Sequence, residues 1–312
     1  MAEARRLALG ALLLEAAVGY PEAVHRRLPH PVVGLGRAIE ALERRWNGAE
    51  RPGGERRVRG VAALMLVGGG AALAGALASR GLRGRGPMGA AALTLLATTG
   101  LAQRSLYQHV QAVLTALERS DLPAARAAVG HIVGRDTQAL DEAGVAAAAL
   151  ESLAESFNDG VAAPAFWLAA GGLPGLFAYK AVNTADSLIG HREPRWRSFG
   201  WASARADDLM NLAPARLAGA LICAAGGGGW AVMARDAGKH ASPNAGWPEA
   251  AMAGALGVTL GGPAVYDGEI TERPAFGDGP APGAEDLRRG LDLYLRACGL
   301  LWLAMGAAAW RR

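Results

Sequence analysis

The run VAALMLVGGGAALAGALAS, residues 61–79, contains no charged side chain and decides the fold class. A helix crossing roughly 30 Å of hydrocarbon needs about 20 consecutive apolar residues, and this run nearly reaches that length. Outward from it lie further apolar runs at Leu7–Gly19, Met88–Ala102, Val161–Tyr179, Leu212–Ala234 and Ala297–Trp310. Leu212–Ala234 is longer still, with Arg216 near one end, where its stem can snorkel to the interface. The remaining runs have the length at which buried soluble helices compete with membrane spans. A soluble chain of 312 residues could bury a large core in one or two domains. The clustering argues against that, as do the 51% hydrophobic and 19% charged content. The reading is an all-α, polytopic integral membrane helical protein with polar, partly re-entrant motif segments. It forms a single membrane domain over residues 1–312, multi-pass in the cell (inner) membrane, with lipid as its surroundings.

The formal net charge is +4. Many cations fall between the first two apolar runs (Arg26, Arg27, Arg37, Arg44, Arg45, Arg51, Arg56, Arg57 and Arg59), beside five glutamates. That pattern suits a cytoplasmic connector under the positive-inside rule. It lacks the basic and aromatic interleaving of a nucleic-acid reader, so no nucleic-acid partner is expected. Cys223 and Cys298 lie inside apolar runs without a nearby CxxC or His partner, and read as inert thiols. Arg5 and Arg6 before an apolar run mimic a secretory signal, but Glu15 interrupts it and more membrane-like segments follow.

A helical patch is expected near Val32–Trp46, a flexible joint at Gly48–Gly54, and a hairpin of two apolar helices around Gly81–Pro87. Gln103 to Phe157 reads as amphipathic helices broken near Asp121-Leu122-Pro123 and at Gly134. The break Gly171-Gly172-Leu173-Pro174-Gly175 interrupts an apolar run and suggests a re-entrant hairpin that returns to the side it left. Gly226–Gly229 raises the same question. Tyr266–Gly283, rich in Pro, Gly and acids, is expected to be an exposed loop.

Three clusters could carry chemistry. The first is Arg135 and Asp136, then Glu151, Glu155, Asn158 and Asp159, a row spaced to share one helical face. Such a row repels itself unless Mg²⁺ or a basic partner balances it; otherwise it is a solvated acidic face. The second is Lys180, Asn183, Asp186 and Arg192, followed by Arg205, Asp207, Asp208, Asn211 and Arg216. Carboxylates and Asn suit Mg²⁺ beside phosphates, and Arg and Lys can hold the phosphate oxygens. The alternative is an intramembrane ion-pair network that sets helix register. The third is His240, Ser242 and Asn244, in a Pro- and Gly-bearing turn that could present side chains and backbone amides to a ligand, or be a plain loop. His30 could orient a ligand or bond to backbone, and Glu15 could join an ion pair or a site. No Walker, Rossmann or HExxH motif appears, so any ATP is held without a P-loop.

These strings, in this order, resemble the CobD/CbiB family of adenosylcobinamide-phosphate synthases. The matching runs include His30-Pro31-Val32-Val33, Ile132 to Thr137, Glu151 to Pro164 and Tyr179 to Ser187. Further matches are Phe199-Gly200-Trp201, Asp207-Asp208, Pro214 to Leu217, Ser242 to Pro248 and Leu260 to Pro263. Two positions depart from the family pattern, Ser156 where Asn is usual and Tyr20 where Asp is usual. The resemblance implies condensation of adenosylcobyric acid with (R)-1-amino-2-propanol or its O-phosphate, consuming ATP. It also implies a place beside other corrinoid-pathway enzymes. For such chemistry Asp207, Asp208, Arg205, Lys180 and Glu155 are the expected catalytic residues. Glu151, Glu155, Asp159, Asp207 and Asp208 are the expected Mg²⁺ ligands. Arg135, Asp136, Asn158, Asn183, Asp186, Arg192, Asn211, Arg216, His240, Ser242 and Asn244 are the expected substrate and phosphate contacts. Two rivals stay open: an intramembrane Mg²⁺-dependent prenyl or alcohol-phosphate transferase, and a non-enzymatic corrinoid-binding scaffold.

Overall fold

The computed structural model describes residues 2–20, 30–266 and 268–310, and these are overwhelmingly helical. The helices are α1 (Ala2–Val18), α2 (Pro31–Trp46), α3 (Gly53–Leu82), α4 (Gly86–Thr98), α5 (Gln103–Glu118) and α6 (Leu122–Gly130). Next come α7 (Glu142–Phe157), a π-turn (Asn158–Ala162), α8 (Ala163–Ile189), α9 (Trp201–Gly226), α10 (Trp230–Asp236) and α11 (Gly246–Leu256). Four short strands follow, β1 (Leu260–Gly261), β2 (Ala264–Tyr266), β3 (Glu269–Thr271) and β4 (Ala275–Phe276), and then α12 (Ala284–Trp310). Among the described residues, four helical stretches are long and apolar enough to cross a membrane: Gly53–Leu82, Glu142–Ile189, Trp201–Gly226 and Ala284–Trp310. The all-α membrane architecture read from the sequence is therefore the one found. The chain divides into two compact units, Met1–Ala102 with Ala163–Asn211 and Met305–Arg312, and Gln103–Ala162 with Leu212–Ala304.

In the first unit, α3 carries the charge-free run and leaves Met65, Leu66, Leu73 and Leu77 each more than half exposed. So much uncovered apolar surface suits lipid rather than water. Its other face packs on α8. A Cβ at Gly75 would lie 2.7 Å from the backbone of Leu173 and Pro174, and one at Gly68 would meet Val182 at 3.9 Å. Residue numbers rise along one helix as they fall along the other, so the two run antiparallel.

Helix α8 is not one rod. Gly172 takes φ 63°, ψ −155°, a left-handed conformation that glycine adopts without a Cβ clash. A Cβ at Gly175 would lie 2.5 Å from the carbonyl oxygen of Trp167, eight residues earlier. Eight residues of continuous helix would separate those groups by about 12 Å. The chain therefore reverses at Gly172, and α8 is the helical hairpin expected from the glycine and proline break.

The polar end of this unit is tied down by Glu43, buried on α2. Its carboxylate accepts from Arg195 Nε at 3.0 Å and Nη2 at 2.9 Å, and from Asn47 Nδ2 at 2.8 Å. The hydrogen bonds from Arg195 hold the Glu43 carboxyl below the usual range, against the opposing effect of burial. Pro31 opens α2, where a missing N–H costs nothing, and His30 Nδ1 caps it by accepting from Val32 N–H at 3.3 Å. Of the two roles open to His30, the structure shows the backbone one.

The second unit packs α7 against α5, α6 and α11. Phe157 meets Tyr294 edge-on at 5.7 Å, and Tyr294 donates to the Gln103 carbonyl at 2.8 Å. The run Leu212–Ala234, read as one apolar segment, breaks at Gly227 (φ 67°) and Gly229 (φ 90°). There α9 ends and α10 returns beside it, so a Cβ at Gly219 would sit 2.8 Å from Met233 Sδ. Tyr266–Gly283 corrects an expectation. Its tip is exposed, but β2 pairs with β3 and β1 with β4, Phe276 is fully buried, and Arg273 turns inward.

Candidate functional site

In the first unit a hydrogen-bonded chain joins the returning arm of α8 to α9. Lys180 Nζ donates to Asn183 Oδ1 at 3.2 Å, and Asn183 Nδ2 donates to Asp207 Oδ1 at 3.3 Å. Asn211 Nδ2 donates to Asp207 Oδ2 at 2.9 Å, and the buried Tyr179 hydroxyl donates to Asn211 Oδ1 at 3.1 Å. Helical spacing explains the pairing, since 207 and 211 are one turn apart, as are 179 or 180 and 183. Val182, between them, faces Gly68 near the middle of the charge-free run of α3. The polar chain therefore lies deep among apolar helices. Insertion scales put each ionisable side chain at such depth at a cost of about 2.5–3.5 kcal/mol, so the position itself points to function.

The other members of this cluster sit farther out. Arg205 and Asp208 form an i,i+3 ion pair at 3.0 Å with the arginine largely exposed. Asp186 is half-buried near the end of α8, and Arg192 is exposed beyond it. Trp167 Nε1 donates to the Met210 carbonyl at 3.1 Å. Pro214, four residues on, has no N–H to offer that carbonyl, and the indole takes its place.

In the second unit the structure gathers a buried ion cluster around Glu151. Its Oε2 takes Arg135 Nη2 at 2.6 Å and Arg273 Nη2 at 3.1 Å, while its Oε1 accepts Gly261 N–H at 2.9 Å. The acidic row thus finds the basic partner that its spacing demanded. The row is also split: Glu151 and Asn158 are buried, Glu155 is exposed, and Asn158 donates to Asp159 at 2.7 Å. Asp136 accepts Gly268 N–H at 2.9 Å and so anchors the β2–β3 turn.

Behind Arg273 lies Glu249 of α11, whose Oε2 is 3.8 Å from Arg273 Nη2 and whose Oε1 is 3.8 Å from His240 Nε2. Burial pushes the Glu249 carboxyl well above its ordinary value. The negative charges of Glu155 and Glu151 add to that, and Arg273 and Arg135 oppose it. His240 is pushed down, chiefly by burial. Its Nδ1 is 2.9 Å from Ser242 N–H and 3.4 Å from the Ser242 carbonyl. The shorter contact makes Nδ1 the acceptor, so in the neutral ring the proton sits on Nε2, facing Glu249.

The turn from His240 to Asn244 is built by its own hydrogen bonds. The amides of Asn244 and Ala245 donate to Ser242 Oγ at 3.2 and 3.4 Å, and that of Ser242 to His240. These amides build the turn rather than face a ligand. Asn244 instead accepts from Arg216 at 3.5 Å, and the Arg216 guanidinium stacks 4.5 Å over the Trp247 ring.

Among the described residues, no three His, Cys, Asp or Glu side chains come together to hold a metal ion. Glu151 in particular is taken up by two arginines and a backbone amide. Sequence reading missed Glu249, Arg273, Tyr179 and Trp167. A lone acid in the otherwise apolar Gly246–Leu256 was a usable signal for Glu249; nothing local marked Arg273.

Fold and clusters together define a polytopic helical membrane protein that sets ionisable and amide side chains among apolar helices. The CobD/Cbib protein family model matches residues 8–294, and the chain belongs to that family, which works in cobalamin biosynthesis. It is 49% identical over 304 residues to a cobalamin biosynthesis protein CobD of Rhodobacter capsulatus, covering 96% of this chain and 95% of that one. A Rhizobium meliloti protein of the same name is 46% identical over 311 residues, covering 96% and 95%. A Sinorhizobium relative is 47% identical over 302 residues, covering 93% and 94%. No solved structure matches the chain.

Proposed function

We propose that this chain joins (R)-1-amino-2-propanol, or its O-phosphate, to the propionate carboxylate of adenosylcobyric acid. The reaction is ATP-dependent amide ligation in the inner cell membrane and gives adenosylcobinamide or its phosphate. The observation that carries the reading is the chain from Lys180 through Asn183, Asp207 and Asn211 to Tyr179, set deep among apolar helices. A carboxylate and an ammonium do not condense unaided at neutral pH, so the acid must first be activated, and an acyl phosphate is the activated form taken here.

In the first unit, Lys180 and Arg205 supply cations for phosphate oxygens, and Asn183 and Asn211 fix the orientation of Asp207. The hard oxygens of Asp207 and Asp208 fit Mg²⁺ of the kind that arrives with a nucleotide, keeps several waters and needs one or two carboxylates. When bound, that ion offsets the negative charge of the transferring phosphoryl group. In the second unit, Arg135 and the stacked Arg216 supply cations for carboxylate or phosphate groups, and Asn244 holds Arg216 in place.

Purified protein supplied with adenosylcobyric acid, ATP, Mg²⁺ and each amine should yield the amide and ADP by mass spectrometry. Product from a prenyl or activated-alcohol donor without ATP would instead establish a transferase. Undiminished corrinoid binding and cobalamin production after carboxylate substitutions would establish a scaffold.

A further inference from the structure

Glu249 is only 2% exposed, and its Oε2 has no hydrogen-bond partner among the described residues. Arg273 Nη2 stands 3.8 Å from that oxygen, beyond hydrogen-bonding reach, and is already committed to Glu151 at 3.1 Å. A buried carboxyl oxygen without a partner is costly, and a catalytic role is one of the few reasons for which native structures keep one. We propose that Glu249 Oε2 is the acceptor for the ammonium proton of the incoming amine, a role that rests on the amide-forming reading above.

The charged surroundings fit that role. Helix α7 contributes Glu151 and Glu155, the segment before it Arg135, the β3–β4 connection Arg273, and the turn before α11 His240. From α10 and the turn after it come Arg235, Asp236 and Lys239, which pair with one another, with Asp278 joining Arg235. Arg135 and Arg273 share the charge of Glu151. Neither guanidinium therefore closes a hydrogen bond on Glu249 Oε2, and an ammonium group supplies that donor. His240 has its Nδ1 engaged by Ser242 and its Nε2 turned to Glu249, so it positions the carboxyl and is not the base. The same burial that raises the affinity of Glu249 for a proton brings it toward the operating pH, where a proton acceptor works best.

The step balances. One N–H bond of the ammonium breaks and its proton passes to Glu249 Oε2. The freed electron pair forms the C–N bond to the acyl carbon of the acyl phosphate, whose phosphoryl group came from the nucleoside triphosphate. The C–O bond to phosphate then breaks, phosphate leaves with that electron pair, and the second N–H proton leaves with it.

The test compares two nucleophiles on full-length protein in detergent or nanodiscs. Aminopropanol arrives as an ammonium; hydroxylamine carries an unprotonated nitrogen at neutral pH and captures an acyl phosphate without a base. Glu249→Gln should lower amide formation by about a hundredfold or more, in line with loss of a positioned acid–base group. It should leave ATP-dependent hydroxamate formation near wild type, and flatten the rise of kcat/KM for the amine with pH. Equal losses with both nucleophiles, or no loss with either, would overturn the proposal. A wild type that forms no hydroxamate brings down the ligation reading itself, and this proposal with it. Should the Gln variant fail to fold, infrared titration of the wild type decides the matter. A protonated-carboxyl band that disappears across neutral pH supports the proposal, and its absence refutes it.

Discussion

Asp236 and Glu249 lie close in sequence, on α10 and α11, and are buried alike at 0% and 2% exposure, yet their carboxyls are shifted in opposite directions. Asp236 accepts Arg235 at 2.7 Å through both oxygens and Gly277 N–H at 2.9 Å, with Lys239 Nζ 2.7 Å away. Those hydrogen bonds, led by Arg235, outweigh burial and hold it far below the usual carboxylate range. Glu249 has cations only at a distance and two other acids nearby, so burial prevails. Burial alone does not set the charge of an interior acid; the donors brought to it do. Asp236 is finished by its own fold, whereas Glu249 is left with an open oxygen. Asp207, which accepts from the side-chain amides of Asn183 and Asn211, is a third case, oriented by neutral donors of two helices.

The largest effect should come from that third case. Asp207→Asn is expected to cost about a hundredfold in rate while sparing the fold, as when a group acting on the transition state is lost. High Mg²⁺ should restore part of the activity. Metal titration and a melt in the same detergent check this; full activity at low Mg²⁺ would remove Asp207 from the site. Asp236→Asn should behave oppositely, losing about 2 kcal/mol of stability through its charged hydrogen bonds and showing no rescue by metal. Its pH dependence follows from the lowered folded-state pKa. The stabilisation is complete above the unfolded value of about 3.9 and is lost as pH falls toward the folded one. Acid melts should therefore steepen for wild type and flatten for Asp236→Asn.

Glu249→Gln sharpens the contrast with a smaller effect of the other sign. A carboxyl raised in the folded state stabilises below its unfolded pKa, and that contribution is lost as pH rises through the folded one. In alkaline buffer the Gln variant should melt higher than wild type, by about 1 kcal/mol of stability for each pKa unit of elevation. A variant that melts lower at every pH would mean that Glu249 is a structural acid like Asp236.

Local patterns announced much of this. The charge-free run predicted α3, and the Gly171–Gly175 break predicted the reversal at Gly172, because glycine and proline act on the backbone where they stand. Helical spacing alone placed Asp207 with Asn211. Long-range closure was not legible. Arg273 sits in a stretch that reads as surface loop, and only the β1–β4 pairing carries it back to Glu151, over a hundred residues away. The acidic row was read correctly for its need of a counter-charge. Its split into buried Glu151 and exposed Glu155 depends on packing that no helical wheel contains.

The smallest effect probes how a helix interruption is repaired. Pro214 lies inside α9 and cannot bond the carbonyl of Met210, which Trp167 fills from the outgoing arm of the α8 hairpin. Trp167→Phe keeps most of the ring but removes that donor, and should cost about 1 kcal/mol, the usual net value of one hydrogen bond. Pro214→Ala returns a backbone N–H to position 214, so the Met210 carbonyl gains an intrahelical partner and the indole becomes redundant. In that background Trp167→Phe should cost less, giving a coupling energy of roughly 0.5–1 kcal/mol in a double-mutant cycle read by denaturant unfolding in mixed micelles. Strict additivity would mean that the indole serves packing alone. Coupling would show that the hairpin is fastened by an acceptor which the proline left open, and that the proline and the reversal at Gly172 work as one device.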